Sequence, residues 1–248
     1  MELNIDAFKW SVYLLLSLWS ILEYWRSVNE WGGEGGAEGW SCTLYRRGAR
    51  VLPPIKYSGE EWRILKASTL HSSLSHLLGN VLGQAWLLFE SASVETVWIA
   101  MYGMVCGHLF SVCLQPHVLG VGSSGATMAL LGLLTTKMLI QLWLARSQLS
   151  RKQRMLSAAK IALPIIYTIC IQSTGQDVHC HLFALVAGCL IAGLNFYPVS
   201  EKDETWHQKF KISSRILLTG VPLCCLGYII FIYGGNEELA AALLDMGC

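Results

Sequence analysis

With 53% hydrophobic and only 14% charged residues over 248 positions, this chain lacks the surface charge of a soluble domain, where about a quarter is charged. A net charge of +1 offers no basic surface for a nucleic acid. Ten tryptophans and nine tyrosines suit a protein that meets bilayer interfaces, so a membrane bundle in contact with lipid is the class indicated.

The N-terminal stretch Met-Glu-Leu-Asn-Ile-Asp-Ala is acidic where a secretory signal would be basic, and no small-residue cleavage site closes the first apolar run. That run is therefore expected to stay as a first span. A span needs about 20 mainly apolar residues, or fewer where the bilayer thins. Seven segments qualify: Phe8–Tyr24, Ser68–Phe89, Val94–Leu114, Ser124–Leu144, Ala158–Ile171, His179–Tyr197 and Ile216–Tyr233. The expected architecture is all-α: a polytopic membrane helical bundle with a six-helix core over residues 1–199. Residues 200–248 then supply a charged linker, one extra C-terminal transmembrane helix and a short acidic tail.

Between the first two spans runs a long loop, Arg26–Ala67, broken by Gly32-Gly33-Glu34-Gly35-Gly36 and too polar to cross a bilayer. Trp31, Trp40, Tyr45, Tyr57 and Trp62 can seat it against lipid headgroups. The nine cysteines fall mostly in apolar runs, where they read as small buried hydrophobes. No Cys-x-x-Cys pair occurs, so neither a zinc site nor a disulfide scaffold is indicated.

Charge sets the orientation. Arg146, Arg151, Lys152, Arg154 and Lys160 bracket the connection from span four to five, and Lys202, Lys209, Lys211 and Arg215 fill that from six to seven. The opposite loops, Gln115–Ser123 and Ser173–Val178, carry no Lys or Arg. The positive-inside rule then puts the N-terminus in the cytoplasm and the long aromatic loop outside. Ser124 opens span four from the outer side, and Lys137 lies about 20 Å deeper at 1.5 Å per residue.

No Asp, Glu, Lys or Arg occurs between Glu95 and Lys137, yet this stretch contains Gly122-Ser123-Ser124-Gly125. Flanking glycines can hold a serine hydroxyl on a tight turn at a helix start. Alone, the motif reads more readily as close helix packing by small residues. In span two, His76 and Asn80 stand four apart on one helical face. Polar groups at that depth are functional candidates, or else interhelical glue. Span six opens with Gln176-Asp-Val-His-Cys-His181, where Asp177 fits an N-cap and His179 and His181 point to different faces. His76, His179 and His181 complete no recognised metal-ligand spacing, so no metal is assigned, and no other cofactor.

Taken together, a serine, a histidine on another helix and two donors on a third are the components of acyl transfer. The histidine takes the serine proton and later returns it to the leaving amine, while preset donors hold the anionic intermediate.

Four segments, in order, resemble the rhomboid intramembrane serine proteases: Trp62-Arg63 before the second helix, His71 with His76-Leu-Leu-Gly-Asn80, Gly122 to Gly132, and Asp177 to Gly188. The resemblance implies Ser124 as nucleophile and His181 as base, a dyad with no third carboxylate. It implies an oxyanion hole of His76, Asn80 and the Ser124 amide, in a six-helix core whose hydrated cavity opens outward. It further implies cleavage of single-pass membrane proteins near the outer ends of their helices, with helix five as a gate. The seventh helix after the core resembles secretory-pathway rhomboids more than mitochondrial ones, which fits a secretory-pathway or plasma-membrane location.

Two residues depart from the family pattern: Met128 where an aromatic ring packs on the catalytic histidine, and Ala184 for the first glycine of a Gly-x-x-x-Gly pair. The acidic residue expected after helix two is either Glu90 or Glu95. The rival reading is a rhomboid pseudoprotease that binds membrane clients for trafficking or degradation. Such relatives lose the serine or the histidine, and this chain keeps both. A transporter is a third reading, but no inverted repeat is evident.

Overall fold

A computed structural model describes residues 5–91, 95–144, 149–159, 162, 177–195 and 201–232. Among them every regular element is helical, apart from one isolated antiparallel bridge between Arg50 and Gly120. The helices used below are α1 (Ile5–Trp31), α2 (Gly36–Arg46), α3 (Leu52–Tyr57), α4 (Arg63–Lys66), α5 (Leu74–Glu90), α6 (Glu95–Leu114), α7 (Ser124–Leu144), α8 (Val178–Leu194) and α9 (Glu201–Gly227). Three apolar segments, Glu95–Leu114, Ser124–Leu144 and Gln208–Phe231, are long enough to cross a membrane, and Val178–Leu194 is a shorter apolar helix. The expected fifth span, Ala158–Ile171, lies almost wholly outside the described residues.

α1 is tied to α5 at its start and middle, and to the loop that follows it at its end. Near its start the buried Lys9 donates to the carbonyls of Leu88 (3.1 Å) and Ser91 (2.8 Å). A cation there meets the negative end of the α5 dipole and satisfies carbonyls that have no helical partner. Midway, Tyr13 Oη donates to the Val81 carbonyl at 2.7 Å. Near its end, Glu23, only 2% exposed, binds Arg47 (2.6 Å), Lys66 (2.8 Å) and Arg26 (3.1 Å). One carboxylate therefore holds α1, the loop and the approach to α5 together. Glu23→Ala would take the shared anion from Arg26, Arg47 and Lys66, leaving Arg47 with Glu30 at 3.1 Å. It is expected to lower stability by about 2 kcal/mol or more, measured as the midpoint of denaturant unfolding in detergent micelles; an unchanged midpoint would remove Glu23 from this role.

The long loop contains more regular structure than its glycines imply. Gly32, Gly33, Gly35 and Gly36 take positive φ and end α1, but α2 follows at once and α3 begins with Pro53 and Pro54. Proline fits the first helical turn because amides there have no helical acceptor anyway. Arg63 pins the loop from beneath. It donates to the carbonyls of Tyr45 (2.6 Å) and Ala49 (3.0 Å), binds Glu60 (2.7 Å), and stacks on Tyr45 and Trp62. Cys42, buried in α2, is disulfide-bonded, an exception to the reading of the cysteines as inert hydrophobes.

The centre is a sandwich of α6, α7 and α8. α8 lies against α7 so closely that a Cβ on Gly188 would fall on the carbonyl of Ala129, and one on Gly132 on the carbonyl of Leu185. These are backbone-to-backbone contacts of the kind small residues permit between membrane helices. Leu130, Leu133, Met128 and Ala184 belong to the buried apolar cluster at this centre. The charged segment before the seventh span is itself helical: Glu201–Gly227 is one continuous helix, followed by a π turn at Tyr228–Ile232. Pro222 has no amide proton for the Leu218 carbonyl four residues back, and Tyr102 of α6 donates to that carbonyl instead. α9 and the π turn after it thereby dock on α6 and α3, through Cys225 of the helix and Ile229 of the turn against Leu52, Ile55, Leu109 and Val112.

Candidate active site

The turn before α7 is fixed by backbone geometry. Gly122 has φ +111°, a conformation that strains any residue with a Cβ. Its amide donates to the Ala67 carbonyl at 2.9 Å, and its carbonyl meets His108 Nε2 at 3.0 Å. A Cβ on Gly122 would stand 2.6 Å from His76 Cε1 and 3.5 Å from Asn80 Nδ2, so both side chains lie directly against this turn. Ser124 is the first residue of α7, which puts its amide among those with no acceptor within the helix.

Asp177 caps α8, accepting the Cys180 amide at 3.1 Å as its spacing indicates. The cap fixes the first turn, and His181 projects from it toward α7. Ser124 Oγ and His181 Nε2 are 2.6 Å apart; the two residues are 7% and 5% exposed. The geometry fits the hydroxyl donating to Nε2, which puts the imidazole proton on Nδ1. Buried Nδ1 has no protein partner among the described residues.

His76 and Asn80 present two further donors. His76 Nδ1 lies 3.0 Å from Ser72 Oγ; with the hydroxyl donating, the ring proton is on Nε2, which is buried and has no protein partner among the described residues. Asn80 Oδ1 accepts from Thr127 Oγ1 at 3.5 Å, leaving Nδ2 in the same condition. Buried donors are rarely left unpaired without a reason. A developing oxyanion, or water before it, is one such reason. His71 lies outside α5, because Ser73 caps that helix by accepting the His76 amide (3.1 Å) and starts it later than the apolar pattern indicates. Its ring packs edge-on against His76 with centroids 5.1 Å apart.

Several residues at the site escaped the sequence reading. Gln84, one turn beyond Asn80, donates to the Ser123 carbonyl (3.1 Å), Ser123 Oγ (2.9 Å) and Thr127 Oγ1 (3.2 Å), so it ties α5 to the start of α7. Arg50, Ser111 and His108 surround the Asp177 cap. Polarity within an apolar span was the available signal for His108 and Ser111. Arg50 sits in an ordinary-looking loop and gave none.

Among the described residues, the histidine set considered for a metal does not converge. His108, Asp177 and Cys180 do bring ligand atoms within 4.8 Å of one another. That set does not suit a cation, because Asp177 already accepts Arg50 Nη2 at 2.6 Å, Ser111 Oγ at 2.5 Å and the Cys180 amide. A buried guanidinium beside it would repel a divalent ion. Burial would raise the Asp177 carboxyl, but Arg50, then Ser111 and the Cys180 amide, hold it below the usual carboxylate range.

The two departures fit their surroundings. Ala184 is fully buried and opposes Gly107 of α6, where a missing side chain makes room for its methyl group. Met128 is buried in the central apolar cluster, to which Ala184 also belongs.

Residues 58–198, more than half of the chain, match the family model of the Rhomboid domain. Rhomboid-related protein 1 of Caenorhabditis elegans is 28% identical over 142 residues, covering 51% of this chain and 39% of that protein. RHOMBOID-like protein 7 of Arabidopsis thaliana is 29% identical over 106 residues, covering 40% and 33% respectively. Rhomboid-like protease 2 of Toxoplasma gondii is 25% identical over 195 residues, covering 77% and 66%. The chain thus spans between a third and two thirds of the length of these relatives.

Proposed function

The chain belongs to the rhomboid family, and from that premise we propose that it is an intramembrane serine endopeptidase acting on the transmembrane segments of single-pass membrane proteins. The observation that carries this reading is the 2.6 Å approach of Ser124 Oγ to His181 Nε2, flanked by two buried nitrogens, His76 Nε2 and Asn80 Nδ2, that have no partner among the described residues. His181 removes the hydroxyl proton as Ser124 attacks a peptide carbonyl, and His76 Nε2, Asn80 Nδ2 and the Ser124 amide hold the resulting oxyanion. His181 then protonates the leaving amine, and a water activated the same way releases the acyl group. A helical substrate must unwind first, because helical hydrogen bonding hides its carbonyls.

The outward orientation of the loop and site has independent support in Cys42, since disulfides persist in oxidising compartments. That agrees with a cytoplasmic N-terminus and a secretory-pathway or plasma-membrane location.

The test is covalent labelling. A fluorophosphonate probe added to the detergent-solubilised protein should modify Ser124, identified by peptide mass spectrometry, and Ser124→Ala or His181→Ala should abolish the adduct. A folded wild type that takes no label would instead favour the client-binding pseudoprotease.

A further inference from the structure

A buried ion pair joins the loop to the helix that carries His181, and the acyl-transfer scheme makes no use of it. Arg50 is 0% exposed. Its backbone pairs with Gly120 in both directions, at 2.9 and 2.8 Å, four residues before Ser124. Its side chain passes over Gly120 so closely that a Cβ there would overlap the guanidinium. Nη2 ends on Asp177 Oδ2 at 2.6 Å, while Nε and Nη1 are buried with no protein partner among the described residues. Asp177 in turn caps α8, and its carbonyl accepts the His181 amide at 3.2 Å, so carboxylate and imidazole are one helical turn apart.

Burying such a pair is poor stabilisation. Desolvating both ions costs about as much as their attraction returns, and well-packed apolar residues often do as well or better. The pair therefore calls for a use other than holding the fold. Its place supplies one. Transfer of the serine proton creates an imidazolium on His181, and any net charge a turn away changes the cost of that step in a site of low dielectric.

We propose that Arg50 and Asp177 are positioning residues for His181: the carboxylate fixes the first turn of its helix, and the guanidinium cancels the carboxylate's charge so that the imidazole senses a balanced field. The inference rests on the protease reading. Among the described residues, the titratable or charged groups around His181 are His76 from α5, His108 from α6, and Asp177 and Cys180 on α8 itself, with Arg50 of the loop behind Asp177 and bonded to it. Arg50 and Asp177 are the fixed opposite charges of this set, and removing one leaves the other uncompensated.

The experiment is the pH dependence of fluorophosphonate labelling, with each variant scaled to its own plateau so that the amount of folded protein cancels. Asp177→Asn keeps a capping side chain but leaves Arg50 unbalanced, which opposes protonation of His181. The acidic limb should move to lower pH by about one unit, a roughly tenfold gain in scaled labelling at a pH on that limb. The double variant Arg50→Met/Asp177→Asn carries neither charge, and its limb should return close to the wild-type position. A purely structural role would not produce that return. A limb that stays in place in Asp177→Asn, or loss of the folded state in both variants, would reduce the pair to a fold determinant and overturn the proposal. A wild type that takes no label would sink the protease reading and this inference with it; a labelled wild type with an unmoved limb would sink the inference alone.

Discussion

His181→Ala should slow cleavage of a co-reconstituted transmembrane substrate by about four to six orders of magnitude, and Ser124→Ala by a similar amount. The two residues act as one unit across a 2.6 Å hydrogen bond, so the double variant should be no slower than either single one. Asn80→Ala removes one of the two side-chain oxyanion donors and leaves the nucleophile and base in place, which predicts a smaller loss of about 10²–10³-fold in kcat, equivalent to about 2.7–4 kcal/mol. Its KM should change little, because that donor acts on charge that develops only as the bond breaks. Single-turnover assays in proteoliposomes, with folding checked by thermal unfolding, measure all four proteins. Additive losses in the double variant would mean that Ser124 and His181 do not share a step. Equal turnover in Asn80→Ala would take that side chain out of the oxyanion site.

The parts of this fold that were legible in the sequence are those in which one local rule determines the outcome. The apolar runs at 95–114 and 124–144 contain no competing signal, and the helices fall there with ends close to those expected. Asp177 before an apolar run is an N-cap by side-chain chemistry alone, and it caps. Ser124, His181, His76 and Asn80 stood out because polar groups are costly in lipid, and the fold gathers all four around one turn. What stayed hidden depends on contacts distant in sequence. Arg50 and Asp177 are 127 positions apart, and a loop arginine gives no sign that it will be fully buried. α2 and α3 form in a segment whose glycines argue against helix, because Glu23, Arg47, Lys66 and Arg63 hold it down from several sides. The start of α5 moved from 68 to 74 because a capping hydroxyl at Ser73 outweighed a continuing apolar pattern.

Gly188→Val is the substitution expected to do most harm to the fold. A Cβ at 188 meets not a flexible side chain but the backbone of Ala129, with the carbonyl carbon 2.8 Å and the Cα 3.0 Å away. Neither helix can yield without separating, and overpacking of this kind costs about 1–3 kcal/mol and sometimes more. A valine adds two further methyl groups beyond the Cβ, so the upper end of that range is expected. The consequence reaches the site, since the α7–α8 interface that Gly188 closes is the one holding Ser124 against His181 at its outer end. Denaturant unfolding in micelles should show the loss of stability, and fluorophosphonate labelling of whatever remains folded should slow as well. Gly220→Ala is the matched control: nothing lies within 4 Å of a Cβ there, so stability should hold or rise by up to about 1 kcal/mol from the better helix former. If both variants unfolded alike, close α7–α8 contact would not be what sets the separation of the two reacting side chains.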